Sequence, residues 1–138
     1  MRDLLTAIGV LAAVALLPRL VRRLRGQARF IGCTELQRRF ENDTDTVVID
    51  VRTPHEFVGP LGHIPGARNI PVDELSAILE RIEEMKHTPI VMVCKTDQRS
   101  AKGAALLKNA GFEQVSVLRG GMEDWNRGAY RVEPQRQE

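Results

Sequence analysis

The sequence predicts an α/β fold in which helices alternate with the strands of a parallel sheet. Three observations predict it. Ile90–Val93 is a short apolar run of the kind that strands buried on both faces show, and Val47–Val51 and Val115–Leu118 are apolar apart from Asp50 and Ser116. Stretches of helical pattern separate them, as crossovers between parallel strands require. Glycine and proline punctuate the connections, most densely in Gly59–Asn69. With 138 residues, 43% hydrophobic and 28% charged, the chain has the length and composition of one folded domain with a core of its own.

Leu4–Leu17 carries no charge; Pro18 follows, then Arg19, Arg22, Arg23 and Arg25. The run is apolar on every side, unlike a surface helix. A bilayer core takes roughly 17–25 apolar residues, so the run reaches spanning length by including Leu20 and Val21 while Arg19 snorkels. The basic residues follow the apolar run, whereas in a secretory signal they precede it. The positive-inside rule places the arginine side in the cytoplasm. Residues 1–25 are therefore expected to form one N-terminal apolar helix. It would be an uncleaved single-pass anchor contacting the membrane through residues 4–21, with the domain cytoplasmic. Export after signal cleavage near Ala13-Val14-Ala15, or an interfacial helix, is the alternative.

Residues 26–30 read as a linker, with Phe30-Ile31 opening an edge strand and the domain running over 31–130. Thr34 and Gln37 have capping-box spacing, which predicts a helix over Glu35–Glu41 with Cys33 just before its cap. Asn42–Asp45 is a turn. Pro54–Phe57 makes one helical turn in which Glu56 can reach back to Arg52. His63 lies in the following loop and reads as a hydrogen-bonding residue, not a catalytic base. Asn69-Ile70 is a very short strand. Asp73 is expected to cap a helix over Glu74–Met85, with Leu75, Ile78, Leu79 and Ile82 on one face. Ala101–Ala110 is a helix ended by Gly111. After the last strand, Gly120-Gly121 turns the chain into a final helical turn over Met122–Arg127, with Trp125 in the core. Residues 131–138 are a polar, loose tail.

The charge distribution narrows the function classes. The first thirty residues hold six arginines against one aspartate, net +5; the chain totals +2, so the remainder carries −3. The basic character belongs to the N-terminus and is not a binding face. Aromatics are 4%, with no basic stripe, so no nucleic-acid partner is expected. Two cysteines, Cys33 and Cys94, are too few for a disulfide framework, and no Cys/His cluster has metal-ligand spacing. No metal is expected.

Pro89–Ser100 carries the chemistry. Ile90–Val93 ends at Cys94; Lys95, Thr96, Asp97, Gln98 and Arg99 follow, and Ser100 opens a helix. Ligands bind beyond the carboxyl ends of strands in open α/β sheets. A helix start there supplies free N–H groups and the positive end of a dipole, which favour a thiolate, the nucleophilic form of cysteine. The polar loop places Cys94 at an accessible rim, with Lys95 and Arg99 adding charge. Asp50 and Arg52 emerge at a neighbouring strand end, as supports for the loop. Cys33 has no such surroundings and reads as structural.

The Cys-x4-Arg loop of Cys94–Arg99 is one residue shorter than the Cys-x5-Arg phosphate loop of cysteine phosphatases, which disfavours phosphatase or arsenate-reductase chemistry. It resembles the active-site loop of the rhodanese (sulfurtransferase) family. Asp50-Val51-Arg52, Gly62–Ala67 with Asn69-Ile70-Pro71, and Gly120-Gly121 with Trp125 resemble that family's other motifs, in order, over Ile31–Trp125. One departure is Asp97, where many members carry glycine. The Asp97 side chain is expected to point outward, its backbone tolerating the left-handed geometry of a glycine. The resemblance implies a rhodanese-like, five-stranded, mostly parallel sheet with helices on both faces. It implies sulfur transfer through a Cys94 persulfide held by the amides of Lys95–Arg99. The donor would be thiosulfate or a persulfide, the acceptor a thiol or cyanide, and no cofactor is implied. A membrane-tethered binding or redox-sensing module is the alternative function.

Overall fold

The computed structural model describes residues 1–25 and 27–133, and the side chains of all of these except residues 2 and 22–25. Gly26 of the expected linker and residues 134–138 of the expected tail lie outside the described residues.

Helix α1, Arg2–Arg25, is continuous through Pro18. Proline removes an intrahelical donor and crowds the preceding turn. Here the Arg19 guanidinium folds back and donates to the Ala15 carbonyl oxygen at 3.1 Å. The segment Asp3–Val21 has a mean hydropathy of 2.2 and none of it is buried by the rest of the chain. It is a candidate membrane segment.

The domain is built on five strands, β1 (Arg29–Ile31), β2 (Val47–Asp50), β3 (Arg68–Asn69), β4 (Ile90–Val93) and β5 (Val115–Leu118). Their order is β1-β5-β4-β2-β3, and every pairing is parallel. Central strands β4 and β5 are buried along their whole length, the burial that the unbroken apolar run of β4 requires; in β5 the buried run includes Ser116. One side of the sheet packs Ile49, Met92 and Val117 against Leu75, Ala104 and Leu107; the other packs Val48, Val91 and Val93 against Leu36, Met122 and Trp125. Helices are α2 (Cys33–Glu41), α3 (Pro54–Phe57), α4 (Leu75–Ile78), α5 (Gln98–Asn109) and α6 (Gly121–Arg127).

Several expectations are corrected. Strand β1 already includes Arg29 and Phe30, paired with Ser116 and Val117, so the expected linker is shorter. The cap of α2 is Gly32, with no side-chain bond; Cys33 is the first helical residue, and the Thr34 hydroxyl meets that of Tyr130 at 3.2 Å. The capping box is instead at Thr53 and Glu56, opening α3. Strand β3 is Arg68–Asn69, one residue earlier than expected. The single helix expected over Glu74–Met85 is broken. Pro71, not Asp73, caps a 3-10 turn over Val72–Glu74; α4 follows, then a second 3-10 segment over Leu79–Met85, kinked at Ile82. Ile82, at the kink, and Met85 are both buried in the core. The tail is not loose through residue 133. The backbones of Glu133 and His63 exchange hydrogen bonds of 2.6 and 2.7 Å, and the Trp125 indole N–H donates to the Arg131 carbonyl at 2.9 Å.

Candidate functional site

All five strands point the same way, so their carboxyl ends share one edge of the sheet, and Cys94 lies there directly after central strand β4. The thiol is not at an accessible rim: Cys94 is 1% exposed. Its sulfur receives the Ser100 amide N–H at 3.4 Å and lies 3.3 Å from the Ser100 hydroxyl. Helix α5 begins at Gln98, earlier than the Ala101 start expected. Gln98, Arg99 and Ser100 are thus its first turn, whose N–H groups have no intrahelical partner. Ser100 is a site residue that sequence reasoning took only for a helix start.

The loop is seated on α6. The Cys94 carbonyl accepts from Met122 N–H at 2.9 Å and the Lys95 carbonyl from Glu123 N–H at 3.0 Å. With these carbonyls turned toward α6, the amides of Lys95, Thr96, Asp97, Gln98 and Arg99 have no acceptor among the described residues. Such a run of free amides over a strand end can hold an anion. Gly121 is part of the seat. Its φ is +53°, and a β-carbon there would overlap the carbonyl oxygens of Thr96 and Cys94.

Lys95, Thr96 and Gln98 are exposed on the rim. The two cations expected to enrich it are both engaged. Lys95 Nζ lies 3.6 Å from Glu123. Arg99 donates two hydrogen bonds, 2.7 and 2.8 Å, to the Glu56 carboxylate. Asp97 differs from expectation in two ways. Its φ is −148°, so no left-handed geometry is needed, and its carboxylate accepts from the Gly120 N–H at 3.2 Å instead of pointing outward.

Asp50 and Arg52, expected to support the loop, form a buried pair at the carboxyl end of β2. Arg52 Nε and Nη2 grip the Asp50 carboxylate at 2.9 and 2.7 Å. The rest of the guanidinium donates to the carbonyls of Glu56 and Gly62, at 3.2 and 2.7 Å. Arg52 thereby ties β2 to α3 and to the Gly62 loop. It does not pair with the Glu56 carboxylate, which the i, i+4 spacing suggested; that carboxylate caps α3 and holds Arg99. Asn69, also missed from the sequence, donates its amide to the carbonyls of Asp50 and Arg52. His63 stacks on Phe57 and bonds its carbonyl at 2.9 Å, as a loop-holding residue.

The Arg99 hydrogen bonds draw the Glu56 pKa down to about 2 from 4.5, and the same pair raises Arg99. A depressed carboxylate pKa stabilises the fold fully above the unfolded value and ceases to as pH falls through the folded value. The Tm advantage of the native chain over Glu56→Gln is therefore expected to be constant above about pH 5, to shrink below 4.5 and to vanish near 2. Thermal unfolding across that range checks it. The pair is part-exposed, so the plateau should be small, about 1 kcal/mol or less. Cys33 is half-buried in a different surface cleft with Arg119 and Tyr130. Burial, and then the Asp124 charge, push its thiol pKa up.

Comparison with known proteins agrees with this fold. The Rhodanese-like domain profile matches residues 33–128. Thiosulfate sulfurtransferase GlpE of Stutzerimonas stutzeri is 35% identical over 79 residues, 57% of this chain and 69% of that protein. The tRNA uridine(34) hydroxylase of Escherichia fergusonii is 35% identical over 92 residues, 64% of this chain; the chain spans only 26% of the hydroxylase. Among solved structures, a rhodanese-related protein from Thermoplasma volcanium superposes with a TM-score of 0.67 at 28% identity, covering 78% of this chain and 99% of that one.

Proposed function

The chain belongs to the rhodanese-like domain family, and from that membership we propose that it is a sulfurtransferase working through a Cys94 persulfide. The observation that carries this reading is the Cys94 sulfur, bonded by Ser100 in a loop whose five amides have no acceptor among the described residues. The GlpE relative, named a thiosulfate sulfurtransferase, supports it.

The Cys94 thiolate attacks the outer sulfur of a sulfane donor. With thiosulfate the donor S–S bond breaks, sulfite leaves with the electron pair, and Cys94 carries the transferred sulfur as a persulfide. An acceptor thiolate or cyanide then attacks that outer sulfur. The Cys94 S–S bond breaks, the Cys94 thiolate is restored, and a new persulfide or thiocyanate leaves. Electrons balance without a further oxidant. In this reading the Ser100 N–H and hydroxyl hold the inner sulfur, while the amides of Lys95–Arg99 stabilise charge on the outer one. With Lys95 and Arg99 both engaged by carboxylates, those amides supply most of the attraction for the anionic sulfur. Asp50 and Arg52 act behind them as positioning residues.

The test is the mass of the purified chain after exposure to thiosulfate. A gain of one sulfur atom on the peptide containing Cys94, removed by cyanide with release of thiocyanate, is the expected result. An unchanged mass with every sulfane donor tried would favour a binding module.

We also propose that α1 anchors the chain in a membrane with the domain on the cytoplasmic side. Its apolar stretch precedes the arginine cluster, which supports that sidedness. A fluorescent protein fused after Glu138 should fluoresce and an alkaline phosphatase fusion should be inactive. The opposite pattern, or a mature N-terminus beyond Ala15, would establish export.

A further inference from the structure

Asp97 stands at the N-cap of α5, where its side chain has a choice of partners. Its carbonyl accepts the first intrahelical bond, from the Ala101 N–H at 2.9 Å, so the backbone holds the capping position. An aspartate there ordinarily turns its side chain onto the N–H of the second or third helical residue. In α5 those residues are Arg99 and Ser100, and Asp97 bonds neither of them. Its carboxylate reaches away from the helix and accepts from the Gly120 N–H at 3.2 Å.

Both amides have another use. The Ser100 N–H donates to the Cys94 sulfur at 3.4 Å. The Arg99 N–H is one of the loop amides without an acceptor among the described residues. A carboxylate is a strong acceptor for an N-cap amide. Folded back onto α5, the Asp97 side chain would draw the Ser100 N–H away from Cys94, and with it the hydrogen bond that favours the sulfur anion. Gly120 offers the carboxylate a different donor. It is the N-cap of α6, whose Met122 and Glu123 amides already hold the Cys94 and Lys95 carbonyls. The Asp97–Gly120 bond is a third tie between the loop and the start of α6, and a side chain makes it.

We propose that Asp97 is a positioning residue. Its bond to Gly120 keeps the carboxylate off the first turn of α5 and so leaves the Arg99 and Ser100 amides to the sulfur. The proposal deepens the sulfurtransferase reading and rests on it for turnover.

Three variants of the full chain, each in a Cys33→Ser background, test it: Asp97→Ser, Asp97→Gly and Asp97→Asn. All three lose the same charge, so differences among them report on hydrogen bonding. The readouts are the pH at which half of Cys94 is ionised, followed by thiolate ultraviolet absorbance, together with Tm and turnover. In Asp97→Ser the hydroxyl is too short to span to Gly120 and well suited to cap α5. Asp97→Gly has neither tie nor cap. Asp97→Asn keeps an acceptor of the native reach and is the rescue. The expected result is that Asp97→Ser ionises at a higher pH than Asp97→Gly while melting at a higher temperature. Asp97→Asn should ionise as readily as Asp97→Gly and turn over several-fold faster than Asp97→Ser. A merely structural role would lower Tm and turnover together and leave the ionisation of Cys94 alone. The proposal is overturned if Asp97→Ser ionises as readily as Asp97→Gly, or melts no higher. It is equally overturned if Asp97→Asn ionises no more readily than Asp97→Ser. Ionisation and Tm are read without a sulfur donor, so they decide the positioning role even if no donor loads Cys94, which the mass measurement shows separately.

Discussion

Cys94→Ser is expected to abolish turnover, by at least about a thousandfold, or roughly 4 kcal/mol of barrier. It should also abolish the sulfur-atom mass gain. A hydroxyl of similar size can still meet Ser100, so the fold should survive, with Tm within a few degrees of native. A serine cannot form the persulfide, so the loss falls on chemistry. Cys33→Ser is the matching control and should keep more than half of the activity. Burial and the Asp124 charge push its thiol pKa up, and it lies in a cleft of its own. Steady-state turnover, intact mass and thermal unfolding on both variants decide the matter. Loss of activity in Cys33→Ser at unchanged Tm would require a two-cysteine relay and sink the single-nucleophile mechanism.

Gly121→Ala should be nearly as damaging, without touching a reacting atom. The residue has φ +53° and faces the carbonyls of Thr96, Cys94 and Lys95. A methyl group there must push the loop off α6. That breaks the bonds from Met122 and Glu123 which turn the carbonyls down and leave the amides free. A displacement of about 1 Å at a site of this kind costs on the order of a hundredfold in rate. Strain and lost bonds together should lower stability by about 2–4 kcal/mol. Urea unfolding and turnover at saturating donor measure the two effects. Gly32→Ala is the control, since nothing lies within 4 Å of its added carbon and its φ is −83°. If Gly121→Ala turned over at the native rate, the loop would not depend on this seat.

The α/β class, the four longer strands and the position of Cys94 were legible because each rests on local signals: buried apolar runs, and a polar loop after one of them. What was missed depends on partners distant in sequence. Glu56 and Arg99 are 43 positions apart, so the short spacing to Arg52 looked more plausible than the real pair. Gly120 and Asp97 are 23 apart, and no local rule foretells that contact. The Thr34–Gln37 spacing misled because a capping box also needs the helix to begin at the right residue, and the cap of α2 is Gly32, two residues before Thr34. The helix after Pro71 is broken at Ile82, and both Ile82 and Met85 are buried in the core, which the periodicity of the sequence alone did not foretell. Burial of Cys94 was not legible either: five polar loop residues suggested exposure, but the first turn of α5 covers the sulfur.

The two ends of the sheet have a consequence for colloidal behaviour. An open strand edge is a template for other chains, and long, flat, apolar edges drive association. Here one edge strand, β3, is two residues long with Pro71 two residues after its end, while the other, β1, is three residues long and starts with an arginine. Neither offers enough consecutive free backbone to recruit a neighbour's strand. The domain can be crowded at high density without its sheets adding to one another.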